Sequence, residues 1–316
     1  MTEPIRSLDA RYYTDASVFE VECAGLLART WQFGCHASEV EGVGAYATFE
    51  IAGESLFAIR GRDEKIRVFY NVCQHRAHQL VSGSGTTRVV VCPYHAWTYE
   101  LTGELRAGPN LKAVDGFDKS SVCLTEVRVE EFLGFVFVNL DPDAAPMEDW
   151  FPGARAELEE WVPNWAALKP LEWVEIPENC NWKVSVENYS ECYHCSLNHP
   201  TFANGVVKPE TYDIQPQGMC LRHTTECQSL DQMTYDINSG FEHADEYSSW
   251  FLWPMVSFQV YPGNVLNTYH WRAVDKDHVV VWRGWYSVDG IDDEKVRLLA
   301  KQDRATTVEE DIHLVE

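Results

Sequence analysis

The spacing of apolar residues along this chain changes period near residue 31. Upstream, Phe19, Cys23, Leu26 and Leu27 recur at helical intervals within residues 14–30, which predicts a helical N-terminal segment. Downstream, short β-rich runs follow one another: AYATFEI, SLFAIR, IRVFYNV, TRVVVC, VRVEEF and FVFVNL. Gly53, Gly61, Gly83, Gly85, Gly103 and Gly134 stand near their ends. The runs therefore predict short antiparallel strands joined by tight turns, a small sandwich of roughly 110 residues. The S-G-S-G at 82–85 has no third glycine and no helix after it, and reads as a turn. The Pro- and Asp-rich stretch DPDAAPMEDWFPG at 141–153 marks a boundary. Beyond it the pattern predicts a helix over 154–162, a strand over 171–177, a helix through 181–197, strands between about 250 and 288, and a helix after 292. The fold class is α+β: an all-β domain over 31–145 and an α+β domain over 146–316.

Composition narrows the setting. The 316 residues are 45% apolar, with 12 Trp and 14 Tyr, as an ordered globular chain requires. A formal charge of -24 repels nucleic acid and anionic membrane surfaces, and leaves room for a basic partner or a cationic substrate. No apolar run reaches the roughly 18 residues of a membrane span. The polar start MTEPIRSLDARYYTD has no signal-peptide core, so the protein reads as cytoplasmic. There, clustered Cys and His residues act as metal ligands more often than as disulfides.

Two such clusters stand out. The first is Cys73-x-His75 in NVCQHRAHQL and Cys92-x-x-His95 in VVVCPYHAW, with 16 residues between His75 and Cys92. Each pair follows a strand-like run and would occupy a tight loop. Structural zinc usually pairs Cys with Cys and His with His. Here each loop supplies one of each, which suits a two-iron cluster with both thiolates on one iron and both imidazoles on the other. Trp97 is expected to pack behind this site, and His78 to lie on the loop surface.

The second is NCNWKVSVENYSECYHCSLNHP, which holds Asn188, Glu191, His194 and His199. On a helix Glu191 and His194 would share a face, about 60° apart, whereas His199 would point about 140° from His194. Pro200 bends the chain at that point, so both imidazoles can reach one metal. Two histidines need a carboxylate to complete the facial triad of a non-haem Fe(II) oxygenase. Cys192 and Cys195 form a C-x-x-C without thioredoxin-like context and read as packing residues. In TTVEEDIHLVE, Thr306 or Thr307 could cap a short helix with Glu309 or Glu310.

C-x-H-R…C-x-x-H followed by A-W resembles the motif of the Rieske oxygenases; Gln74 stands where many relatives have proline. The resemblance covers nearly the whole chain, and N-Y-x-E-C-Y-H-C-x4-H-P is most similar to the subunits that act on quaternary ammonium compounds such as carnitine, glycine betaine, choline and stachydrine. It implies a Rieske [2Fe–2S] domain, then a catalytic domain with an antiparallel sheet gripped by helices as in START folds, on which residues 1–30 pack. It implies cluster ligands Cys73, His75, Cys92 and His95, and an Fe(II) held by His194, His199 and Asp311, the aspartate of E-D-x-x-L-V-E. From the residues alone Asp311 is one acid among 49, with Glu310 its competitor. Glu191 is expected to bridge a cluster histidine and His194 across a subunit boundary of a homotrimer. Asn188 is either a polar group near the iron or a packing residue. A separate flavin and iron–sulfur reductase would deliver electrons, and O2 would hydroxylate a C–H bond, giving N-demethylation or C–N cleavage. Of the aromatics in WFLWPMVSFQVYPGNVLNTYHW, Trp253 and Tyr261 are the candidates for caging the cation. The alternatives are an aromatic ring-hydroxylating dioxygenase or O-demethylase, a Rieske electron carrier, and a scaffold subunit without iron. Relatives continue past L-V-E, so the C-terminus reads as truncated.

Overall fold

The computed structural model describes residues 6–162, 164–228 and 240–316; residues 1–5 of the expected N-terminal segment lie outside them. Contacts divide the chain into two compact units, Cys23–Ala145 and Met1–Glu22 with Pro146–Glu316. Among the described residues no helix is long and apolar enough to cross a membrane.

The unit Cys23–Ala145 is built on a seven-stranded antiparallel sheet, in the order Gln32–His36, Phe135–Asn139, Glu126–Phe132, Ile66–Tyr70, Glu54–Arg60, Ala45–Ile51 and Ser84–Thr86. Strand alternation gives Glu54–Arg60 two buried faces. Leu56 and Ala58 join a core with Cys35, Val136 and Val138, while Phe57 and Ile59 join one containing Cys73, Cys92, Tyr99 and Leu101. The two metal-motif loops thus rest on a packed apolar floor. A small sheet of Val90–Val91, Thr98–Tyr99 and Leu105–Ala107 supports the second loop. The strand expected over TRVVVC shrinks to two residues, because the chain turns directly into the Cys92 loop. The expected turn at 82–85 is partly an edge strand: Ser84–Thr86 pairs with Ala45–Ala47. A Cβ at Gly85 would lie 2.9 Å from the Tyr46 hydroxyl, so a larger residue there would have to displace the Tyr46 ring.

The second unit holds another seven-stranded antiparallel sheet: Lys169–Glu178, Val279–Ser287, Val265–Ala273, Val256–Tyr261, Glu246–Leu252, Cys220–Glu226 and Asp213–Gln217. Its central strands are buried on both faces although they carry polar residues, among them Ser248, Ser249, Ser257 and Gln259. Residues 147–162 and 164–168 cover one face, where Trp250 Nε1 donates to Glu157 at 2.7 Å. Helices cover the other, where Trp271 Nε1 donates to Ser185 at 2.9 Å.

Three helix expectations change. The N-terminal helix is split into Arg11–Thr14 and Ala16–Gly25, because Asp15 leaves the helical region and its carboxylate accepts from the Ser17 amide at 2.8 Å. These pieces pack on Trp182–Tyr189 through Tyr13–Glu187 at 2.7 Å and Lys183–Glu22 at 2.8 Å. The helix expected through 181–197 ends at Tyr189; a turn follows, then the short helices Cys195–Asn198 and Pro200–Gly205. Thr306 and Thr307 do not start a helix. Asp293–Asp303 continues through a π-helical turn, Arg304–Val308, into Glu309–Val315. Thr306 instead donates back to the Gln302 carbonyl at 3.0 Å, the bond of a mid-helix threonine.

Candidate functional site

The two Cys/His loops share one geometry. In each the fourth residue after the cysteine is an alanine in the left-handed region, Ala77 (φ 50°) and Ala96 (φ 56°). Its amide donates to the cysteine carbonyl, at 2.9 Å for Ala77 and 3.0 Å for Ala96. The cysteine amides donate in turn to the carbonyls of His78 and Trp97, at 2.9 and 2.8 Å. Cys73 and Cys92 are buried, whereas His75 and His95 stand at the loop tips with ring centroids 4.8 Å apart. Trp97 stacks on His75 at 4.7 Å, and His78 is exposed. Tetrahedral zinc would hold four donors within about 4 Å of one another. Among the described residues, the donor set converging to within 4.8 Å is a different one. The four Cys/His donors spread wider, with thiols inside and imidazoles outside, and that order fits a two-iron cluster.

Sequence reasoning passed over Tyr99. Its hydroxyl lies 3.2 Å from Cys73 Sγ and accepts from the Gln74 amide at 3.1 Å. A proline at position 74 could not make the second bond. Burial, and then the bond to Cys73, push the Tyr99 pKa up, so the phenol keeps its proton. The signal was the alternation that places Tyr99 on the same buried face as Leu101.

The converging set is His194, His199 and Asp311. The two Nε2 atoms are 3.0 Å apart, and Asp311 Oδ1 is 3.0 Å from His199 Nε2 and 3.7 Å from His194 Nε2. Ligands about 2.1 Å from one ion on a single octahedral face are separated by about 3 Å, so this triangle fits a facial triad. Asn188 donates to Asp311 Oδ1 at 2.8 Å, which gives it a place beside the triad. Glu191 sits in the turn after Tyr189, not on a helix, and bonds both His194 Nδ1 and the Tyr193 amide. Cys192 and Cys195, expected as packing residues, are joined in a disulfide that closes this turn. Glu310 is not at the triangle: its Oε2 lies 2.9 Å from His199 Nδ1, on the opposite edge of the ring. Burial lowers the His199 pKa, but the hydrogen bonds and charges of Asp311 and Glu310 outweigh it and the net shift is upward.

The triangle opens into a pocket walled by Tyr189, Phe202, Tyr212, Tyr247, Tyr261 and Tyr269. Among the described residues its lining contains no lysine or arginine, but Arg283 lies behind the wall, 4.3 Å over the Tyr269 ring and donating to the Tyr261 hydroxyl at 3.3 Å. Tyr261 is thus brought to the pocket, and its hydroxyl donates to buried Asp303 at 3.1 Å. Trp253 is not among the lining residues. The strand ends at Leu252, and Trp253 is carried into the hairpin turn, with its amide on the Met219 carbonyl at 3.0 Å. The other tyrosines come from a helix end (Tyr189), a loop (Tyr212) and two further strands (Tyr247 and Tyr269), so no single run of sequence displays them.

Residues 30–118 match the family described as Rieske [2Fe-2S] domain, and residues 164–316 the family described as ring hydroxylating alpha subunit, catalytic domain. The chain is 38% identical over 257 residues to the carnitine monooxygenase oxygenase subunit of Escherichia coli K12, covering 81% of this chain and 68% of that protein. It is 35% identical over 209 residues to the 2-aminobenzenesulfonate 2,3-dioxygenase subunit alpha of an Alcaligenes species, covering 65% and 53%. The crystal structure of the quaternary ammonium Rieske monooxygenase CntA with L-carnitine superposes with a TM-score of 0.83 at 33% identity, over 97% of this chain and 82% of that one. With both families matched on one chain and 38% identity to an oxygenase subunit, the chain belongs to the Rieske non-haem iron oxygenases, as a catalytic alpha subunit.

Proposed function

We propose that this subunit oxidises a quaternary ammonium compound of the carnitine or betaine type. Cys73 and Cys92 would hold one iron of the [2Fe–2S] cluster, His75 and His95 the other, and His194, His199 and Asp311 the mononuclear Fe(II). When bound, the two iron centres supply electrons and the reductive activation of O2 at a position next to the pocket. The chain's own residues do the rest. Asn188 holds Asp311, Glu191 holds the His194 ring by Nδ1, and the aromatic wall of Tyr189, Phe202, Tyr212, Tyr247 and Tyr261 would suit a cation, while the sixth ring, Tyr269, already carries the Arg283 guanidinium at 4.3 Å. That wall is the observation that carries the substrate assignment.

Two electrons and two protons are consumed with O2; one oxygen atom enters a C–H bond beside nitrogen and the other leaves as water. The resulting carbinol breaks its C–N bond, releasing an amine and an aldehyde. A separate flavin and iron–sulfur reductase would supply the electrons in the cytoplasm. Tyr193 (97% exposed) and Leu197 (86%) belong to the same short segment as half-exposed Glu191, and this surface would suit the cluster loops of a neighbouring copy in a homotrimer.

The test is reductase-coupled oxygen uptake over carnitine, γ-butyrobetaine, glycine betaine, choline and stachydrine, with aminobenzenesulfonate and naphthalene alongside. Uptake with an amine product is expected from at least one betaine. Coupled turnover of the aromatics alone would overturn the substrate class, and the aromatic relative would then be the better guide.

A further inference from the structure

Glu310 and Asp311 are consecutive, and both meet His199, but at opposite nitrogens: Asp311 Oδ1 at Nε2, 3.0 Å, and Glu310 Oε2 at Nδ1, 2.9 Å. We propose that Glu310 is a positioning residue for the iron, which fixes the tautomer and rotation of His199 without touching the metal. The inference rests on the assignment of His194, His199 and Asp311 as the iron ligands.

A neutral imidazole carries one proton and can offer a lone pair only from its other nitrogen. A carboxylate at Nδ1 keeps the proton there and leaves the Nε2 lone pair for the metal. The backbone of His199 is already fixed, since its amide donates to the Cys195 carbonyl at 2.9 Å and its carbonyl accepts from Ala203 at 2.8 Å. Rotation of the ring is what remains to be set, and Glu310 bonds the edge that sets it. The ring is only 2% exposed, so water is a poor substitute for that bond. His194 is held in the same way, by Glu191 at Nδ1. Neighbouring residues on a helix point about 100° apart. The shorter Asp311 therefore reaches the triangle, while the longer Glu310 reaches round the back of one of its corners. The π-helical turn Arg304–Val308 ends two residues before Glu310, and such turns often mark functional sites.

Three variants of the full chain separate the roles. Glu310→Gln keeps an acceptor oxygen at the same reach but loses the charge. Glu310→Asp keeps the charge but draws the oxygen back. Asp311→Ala removes a ligand. The mononuclear site is emptied with a chelator and refilled with Fe(II), and occupancy is read from the paramagnetic Fe(II)–nitric oxide signal; far-ultraviolet circular dichroism and the thermal melt report that each variant is folded. Positioning predicts that Glu310→Asp binds Fe(II) about 10–100-fold more weakly, that Glu310→Gln stays within a few-fold of the unchanged chain, and that Asp311→Ala does not bind. If Glu310→Asp binds as tightly as the unchanged chain, or tighter than Glu310→Gln, the positioning role is overturned. Loss of binding in Glu310→Gln as complete as in Asp311→Ala would make Glu310 a ligand and overturn it as well. Unchanged binding in Asp311→Ala would instead sink the assignment of the triad.

Discussion

Replacing Tyr99 by phenylalanine should lower the reduction potential of the cluster while leaving its assembly intact. The Tyr99 hydroxyl accepts from the Gln74 amide at 3.1 Å, so its own proton is free to point at Cys73 Sγ, 3.2 Å away. With Cys73 as a cluster ligand, the added electron makes the sulfur a better acceptor, and the bond favours the reduced state. A hydrogen bond to a neutral group contributes about 1 kcal/mol net, and more to a charged one. A differential of about 1 kcal/mol corresponds to roughly 40 mV in a one-electron couple, since a tenfold change in equilibrium is about 59 mV. The expected shift is therefore about 40–60 mV downward. Phenylalanine fills the same volume at a site with no exposure, so cluster content should hold. The stability cost comes from the orphaned Gln74 amide, about 1 kcal/mol for a part-buried donor. A potentiometric titration followed by circular dichroism measures the shift, and Gln74→Pro, which removes only the amide donor, should fall between the two. An unchanged or raised potential in a fully loaded variant would refute the argument.

Four further outcomes follow from other parts of the molecule. Asp303→Asn strands the Arg283 guanidinium, which is 2% exposed and ion-paired to Asp303, and should cost about 3–5 kcal/mol by thermal or denaturant unfolding; a loss under about 1 kcal/mol would show the pair to be dispensable. Tyr261→Leu removes a π face from the pocket and should raise KM for a betaine about 2- to 30-fold with little change in kcat; an unchanged KM would take Tyr261 out of the cage. Burial raises the Glu178 pKa from 4.5 to about 7, so the folded state holds a proton that the unfolded state releases. Stability is then full below about pH 4.5 and falls as pH rises to about 7, by on the order of 3 kcal/mol; in protein stripped of the mononuclear metal, Glu178→Gln should be the more stable form at pH 8, an advantage that shrinks toward pH 5, and the reverse trend would contradict the assignment. Glu22→Gln, which removes the charge opposite buried Lys183, should lower the melting temperature measurably at neutral pH, and an unchanged melt would leave the Glu22–Lys183 pair without a stabilising role.

Local spacing made Cys73, His75, Cys92, His95, His194 and His199 legible as candidate ligands, because residues of unusual type stand close together in the sequence. Cys73-x-His75 and Cys92-x-x-His95 each sit within one loop, and a loop's geometry is largely its own. Strand patterns such as SLFAIR were readable for a related reason, since a residue's neighbours two positions away share its face. The breaks in the helices were harder to see. Nothing in periodicity ends a helix at Tyr189, where ENYSECYHC continues with acceptable helix formers; the break depends on what the following turn bonds, including the Cys192–Cys195 link. The same holds for Thr306, whose preference for a cap gave way to a back-bond within a helix that packing had already fixed.

The pocket wall shows where local reading runs out. Its tyrosines come from the end of one helix, from the loop before the Asp213–Gln217 strand, and from three different strands. Strand register decides which of them face inward, and one residue of slip would turn each to the other side. Tyr261 could be picked from sequence, but Trp253 looked equally good in the same aromatic run, because both depend on where Glu246–Leu252 ends. Glu310 and Asp311 pose the same problem at smaller scale. Two adjacent carboxylates are equivalent on paper, and only the direction of the helix relative to one imidazole sets Asp311 at Nε2 and Glu310 at Nδ1. Residue identity can nominate the chemistry, but the division of roles between neighbours belongs to the tertiary structure.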